Sequence, residues 1–136
     1  MRKGELRLWE SPSARFTGLG GATHGPGEIL QGNVAPSNIV FQAWPSLKAL
    51  AGEPAMTIIP NLLVTGILTI IVGVLLAVWS AKFISTKYGG LGIILLTIVL
   101  LLVGGGLMPA LFGIAAGAIA IALNYREQRA EALNNE

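Results

Sequence analysis

Residues 89–123 read GGLGIILLTIVLLLVGGGLMPALFGIAAGAIAIAL, with no charged side chain among them. As one straight helix rising ~1.5 Å per residue, the stretch would run ~50 Å, against a bilayer hydrocarbon core of ~30 Å. Gly104, Gly105, Gly106 and Pro109 stand at its middle. Glycine lacks the Cβ that restrains the backbone, and proline disfavours helix in the residue before it. The stretch is therefore expected to fold as a helical hairpin, with spans at 90–103 and 108–124 and a tight turn at 104–108. One long kinked helix is the alternative.

Working outward, residues 56–81 form a second apolar block, MTIIPNLLVTGILTIIVGVLLAVWSA. Its length matches the ~20 residues that cross a bilayer, and Pro60 falls in its early turns, where a missing N–H matters least. A basic link, KFISTKY at 82–88, joins the two blocks, and the polar tail 125–136 is expected to continue the last helix beyond the membrane. Residues 1–55 are polar and read as partly irregular, the glycine-rich 18–33 above all. Between Pro36 and Gly52, apolar residues at helical spacing fit two short interfacial helices or a loop. The expected fold class is an all-α membrane protein: a small bundle of about three transmembrane helices, one helix plus a hairpin, behind an irregular polar N-terminal segment.

Composition supports this class. The 136 residues are 53% hydrophobic and 12% charged, about half the charge of an ordinary soluble domain. So few charges cannot cover a globule of this size, and disorder would need low hydrophobicity. There is no Cys, no Asp and a single His, which leaves poor material for a metal site and none for thiol chemistry. No cofactor or metal is expected. The net charge of +2 is too small and scattered for nucleic-acid binding.

Charge and aromatics set the expected orientation. Lys82 and Lys87 in the link, and Arg126 and Arg129 in the tail, fall on one side of a three-span bundle. Trp79, Tyr88 and Tyr125 lie at the span ends meeting that side, with Trp44 expected in the opposite interface. Basic residues and interfacial aromatics together mark the cytoplasmic face. The C-terminus is thus expected in the cytoplasm and the N-terminus, held only by Lys48, outside.

The segments Trp44-Pro45-Ser46-Leu47, TIIPN at 57–61, Lys87-Tyr88-Gly89-Gly90, LLVGGG at 101–106 and Gly113-Ile114 resemble a group of small bacterial integral membrane proteins without an assigned activity. The resemblance covers roughly residues 24–120 and rests on glycine and apolar patterns. It implies a small helical bundle in the bacterial cytoplasmic membrane, with residues 25–54 as an extracytoplasmic loop. It also implies a further apolar span before that loop, where this chain has the polar residues 1–23.

Small residues form two stripes: Gly66, Gly73 and Ala77 on the first span, and Gly113, Gly117 and Ala120 on the third. Such stripes let helix backbones approach closely in lipid. They are expected to pair with each other inside the protein; a homo-oligomer face is the alternative. Asn61, Thr65, Thr69 and Thr97 are the polar groups at depth. No acidic or basic residue falls within the apolar blocks, which argues against a pump or secondary transporter. His24 and Glu28 would share a face only on a helix, and Pro26 and Gly27 argue against one there. With no convergent acid, base or nucleophile, catalysis is not expected. The expected function is a non-enzymatic structural or accessory subunit of a membrane complex, in contact with lipid. An oligomeric channel or transporter component is the alternative.

Overall fold

The computed structural model describes residues 3–44 and 54–135, with side chains from residue 12 onward. Leu47, Lys48 and Gly52, which entered the expected interfacial helices and the N-terminal orientation, lie outside the described residues. Helix α1 spans Lys3–Ala22, α2 His24–Gln31, α3 Leu62–Phe83, α4 Gly89–Leu102 and α5 Leu107–Asn134. Three short strands, β1 (Val40–Gln42), β2 (Pro54–Thr57) and β3 (Val103–Gly106), form an antiparallel sheet in the order β1-β2-β3.

The chain is mostly helical, and α3 and α5 are long and apolar enough to cross a membrane. The all-α, three-span expectation needs correction in two places. First, the apolar block at 56 does not start as helix. Met56 and Thr57 belong to β2, and α3 begins only at Leu62, capped by the Asn61 side chain, which accepts from the Val64 N–H at 3.1 Å. Second, the glycines at 104–106 form neither a tight turn nor helix. They extend as β3, with Gly104 at φ +126°, and pair with β2 through Ala55↔Gly106 and Thr57↔Val103. A glycine run that leaves the helix exposes backbone donors and acceptors which need partners when buried. The β2 edge provides them, helped by the Ile58 N–H donating to the Leu102 carbonyl at 3.0 Å. Helix α4 is left with 14 residues, about 21 Å by helical rise.

The glycine-rich 18–33 is also largely regular: it holds the end of α1 and the whole of α2. Packing overrides propensity here. A Cβ built on Gly18 would fall 2.5 Å from the Gly73 carbonyl oxygen, and one on Gly73 2.6 Å from the Gly18 carbonyl oxygen. Gly25 and Gly66 repeat the relation at 2.6 and 2.5 Å. These reciprocal contacts run α1 and α2 antiparallel to α3 with backbones touching. The direction of α1 puts its first turn near the Phe83 end of α3, the end of the basic link, rather than opposite it as the sequence reading had placed the N-terminus.

The pairing of the stripes changes accordingly. Gly66, Gly73 and Ala77 face α1 and α2, not α5. Gly117 instead meets Gly90 and Ile94 of α4, and Gly113 packs on Thr97 of α4 and Thr17 of α1; Ala120 is fully buried. The sequence reading has no helix at residues 3–31 to cover the first stripe, which leaves the second stripe as its nearest small-residue partner. Replacing Gly113 or Gly117 by Ile should each cost about 1–3 kcal/mol by overpacking, while Ile119→Leu, on the exposed face, should leave thermal stability in detergent unchanged.

Asn124 fixes the far end. Its buried amide donates to the carbonyls of Ile84 at 3.0 Å and Thr86 at 3.1 Å, tying α5 to the link between α3 and α4. Lys82, Lys87 and Tyr88 thus gather with Tyr125 and Arg126 at one end, all of them exposed. Asn124→Ala should destabilise by about 1–3 kcal/mol, since two carbonyls lose a buried donor.

Candidate functional site: a buried carboxylate at the broken helix

Polarity in this molecule is arranged inside out. Val64, Ile67, Ile71, Val74, Leu75 and Val78 of α3 are exposed, while Thr65, Thr69 and Ser80 of the same helix are fully buried. Thr17, Glu28, Thr57 and Thr97 are likewise buried. Four of them, Thr57, Thr65, Thr69 and Glu28, come together where α2, α3 and β3 meet.

Glu28 occupies that point. It stands on α2, and its side chain is 0% exposed. Thr69 Oγ1 lies 3.5 Å from Glu28 Oε2 and 2.9 Å from the Val103 carbonyl oxygen. A hydroxyl has one proton to donate, and the shorter contact assigns it to Val103. Glu28 Oε1 has no hydrogen-bond partner among the described residues. A carboxylate removed from water with so few donors is stable only as the neutral acid or beside a cation.

Gly104 makes the space. A Cβ there would fall 2.5 Å from Oε2 and 2.6 Å from Oε1 of Glu28, and 2.5 Å from Thr65 Cγ2. The carboxyl group therefore lies against bare backbone. Around it, the Thr65 hydroxyl donates to the Asn61 carbonyl at 2.7 Å and lies 3.4 Å from the Thr57 hydroxyl, which accepts from the Ile59 N–H at 3.0 Å. Thr57 also lines a cleft of about 340 Å³ with Ala35, Pro36, Asn38, Ile39 and Pro60. Thr65 turns its hydroxyl toward Thr57 and its methyl group toward Gly104. Thr69 lies seven residues into α3, ~10 Å along the helix from its first residue.

His24, one helical turn before Glu28, is 5% exposed. The argument against a helix at Pro26 and Gly27 fails because both lie in the first turn of α2, where backbone N–H groups lack helical partners in any case. Among the described residues no three His, Cys, Asp or Glu side chains gather to hold a metal ion.

Trp44 packs on Gly27 and donates its indole N–H to the Thr23 carbonyl at 3.0 Å. It satisfies the backbone between α1 and α2. Trp79 similarly donates to the Gly89 carbonyl at 3.2 Å, and its ring lies 4.7 Å from that of Phe83. Of the polar groups expected at depth, Thr65 and Thr69 belong to the site. Thr97 is buried elsewhere, against Gly113, and its hydroxyl has no hydrogen-bond partner among the described residues. Asn61 serves as the cap of α3.

The sequence reading weighs Glu28 only as a partner of His24 and sets it aside, and it takes Gly104 for a turn residue, not for the wall of a carboxyl site. A signal was present: Ala14, Thr17, Gly18, Gly21, Gly25 and Glu28 recur at helical spacing, a continuous small-residue face ending in one acid. Comparison with family models, curated proteins and solved structures finds no match for the chain.

Proposed function

We propose that this chain is an integral membrane protein that passes protons or small cations by way of Glu28, as a channel or transporter component. One observation carries the reading: a fully buried carboxyl group, one of its oxygens unbonded, set against a glycine-broken helix. Ionisable groups at membrane depth are costly and mark ion paths and proton relays. Discontinuous helices with exposed backbone are tolerated in bilayers where they line such sites. The earlier argument against transport rested on the lack of a charge at depth, and Glu28 removes it. A purely structural accessory subunit has no use for such a group.

In this reading four elements cross the bilayer: α1 with α2, α3, α4 with β3, and α5. The 14 residues of α4 and four of β3 together reach ~34 Å, enough for a core of ~30 Å. Both chain ends lie on the basic side, in the cytoplasm of a bacterial cell. Lipid is the direct partner. The small-residue stripes are consumed by contacts within the chain, which weakens the case for a second copy; nucleic acid has no place in this scheme.

Two experiments test the reading. Single cysteines at Ser85 and Asn134 should react with a membrane-impermeant thiol reagent only after cells are opened; labelling of either in intact cells would contradict the orientation. In proteoliposomes with an imposed pH gradient, the parent should dissipate the gradient and Glu28→Gln should slow it about a hundredfold, the lower end of what one positioned proton-transfer group supplies. Equal rates for parent, variant and empty liposomes would return the protein to an accessory role.

A further inference from the structure

We infer that His24 is a second proton carrier, exchanging a proton with Glu28 inside the bundle. This rests on the transport reading above and extends it from the group that holds the proton to the group that takes it. Both residues stand on α2, one helical turn apart. Side chains at that spacing share a helix face, with Cβ atoms ~5–6 Å apart. Helical side chains lean toward the start of their helix, so Glu28 leans over the turn that holds His24. A carboxyl group and an imidazole close such a gap directly or through one water, which is the reach proton transfer needs. Glu28 is 0% and His24 5% exposed, so the exchange takes place away from bulk solvent.

No other titratable group on the described neighbouring elements faces the pair. Helix α3 carries only Lys82, exposed at its far end, and α4, β1, β2 and β3 carry none. Arg15, the one charged residue of α1 between 12 and 22, is exposed, and the titratable residues of α5 begin at Tyr125. The hydroxyls at the site are committed as donors, Thr69 to the Val103 carbonyl at 2.9 Å and Thr65 to the Asn61 carbonyl at 2.7 Å. A hydroxyl can take a proton only by giving up its own, whereas an imidazole can hold one. In the exchange the Glu28 O–H bond breaks, its electron pair stays on the carboxylate, and an N–H bond forms on the imidazole. A carboxylate beside an imidazolium results, so no net charge appears in the apolar bundle. Toward α1 the polar face stops after His24. A Cβ on Gly21 would run into Leu100 Cδ2 of α4, and Leu100 is itself buried. The face therefore places two proton-holding groups side by side and an apolar block next to them.

His24 is the single histidine of the chain, so protein grown on 15N-histidine shows one imidazole by NMR. In detergent its titration midpoint should differ by about one pH unit or more between the parent and Glu28→Gln, because a pair coupled this strongly titrates as a unit. Glu28→Asp, which keeps a carboxyl group on a shorter stem, should fall between the two. In proteoliposomes His24→Gln should slow dissipation of a pH gradient about a hundredfold, as expected for a positioned proton-transfer group, while unfolding cooperatively in detergent like the parent. The NMR comparison uses no His24 variant, so it decides even where that variant fails to fold. Identical titrations in the parent and Glu28→Gln would overturn the inference. So would a parent rate for His24→Gln beside a slow Glu28→Gln, which leaves the transport reading standing. A coupled titration in a protein that dissipates no gradient would end the transport reading and leave the exchange between the two groups in place.

Discussion

Replacing Gly104 by valine should abolish folding into a monodisperse protein. Two costs add at this residue. The new Cβ would fall 2.5–2.6 Å from both carboxyl oxygens of Glu28 and 2.5 Å from Thr65 Cγ2, and overpacking of this kind costs about 1–3 kcal/mol. The backbone at φ +126° is one that a β-branched residue resists, adding about 1–3 kcal/mol. Together these take a large share of a stability of about 5–15 kcal/mol. Gly20→Ala is the matching control. Its Cβ would meet nothing nearer than Pro109 Cγ at 3.9 Å, and alanine is a better helix former than glycine by about 1 kcal/mol. Thermal unfolding followed by tryptophan fluorescence in detergent should show Gly20→Ala at or above the parent and Gly104→Val without a cooperative transition. A normal transition for Gly104→Val would mean that the carboxyl group does not lie against this backbone.

The second large effect is expected at Gly73. A leucine there would begin with a Cβ 2.6 Å from the Gly18 carbonyl oxygen, 2.8 Å from Ala22 Cβ and 3.0 Å from the Ala22 nitrogen. Two of these three neighbours are backbone, which cannot turn aside as a side chain can, so α1 must separate from α3. Every close contact that positions α2 through Gly25 and Gly66 is then loosened, and Glu28 loses its burial. Gly73→Leu should therefore lower the unfolding midpoint and also open Gly104 and Thr65 to labelling when they carry cysteine. Ile71→Leu, on an exposed position of the same helix, should do neither. If Gly73→Leu unfolds like the parent, α1 does not pack on α3 as described.

What could be read from the sequence follows from where its signals are local. The apolar runs announce α3 and α5 as two long helices, though not that α3 begins only at Leu62. The glycines at 104–106 announce a break, because no neighbour is needed to see that the helix is weakest there. Which structure fills the break was not legible: β3 depends on β2, 46 residues earlier at Thr57↔Val103, and pairing at that distance leaves no periodic trace. Helices α1 and α2 were missed for a related reason. Pro12, Pro26 and six glycines between 18 and 32 oppose helix by intrinsic preference, and only the matching glycines of α3 reverse the balance. Glu28 is set aside with them, since its pairing with His24 needs the helix that Pro26 and Gly27 argue against. It stands in a polar segment, so its depth is a property of the fold and not of its sequence surroundings.

The proposed role requires Glu28 to be a protonated carboxyl group inside a membrane-embedded bundle. Carbodiimides react with protonated carboxyl groups, and membranes containing the protein can be treated with a lipid-soluble or a water-soluble reagent and the adducts mapped by mass spectrometry. The lipid-soluble carbodiimide should modify Glu28, and the water-soluble one should leave it untouched while reaching Glu131, which is exposed on the tail helix. Modification of Glu28 by the water-soluble reagent as readily as Glu131 would place it in open water and contradict the account.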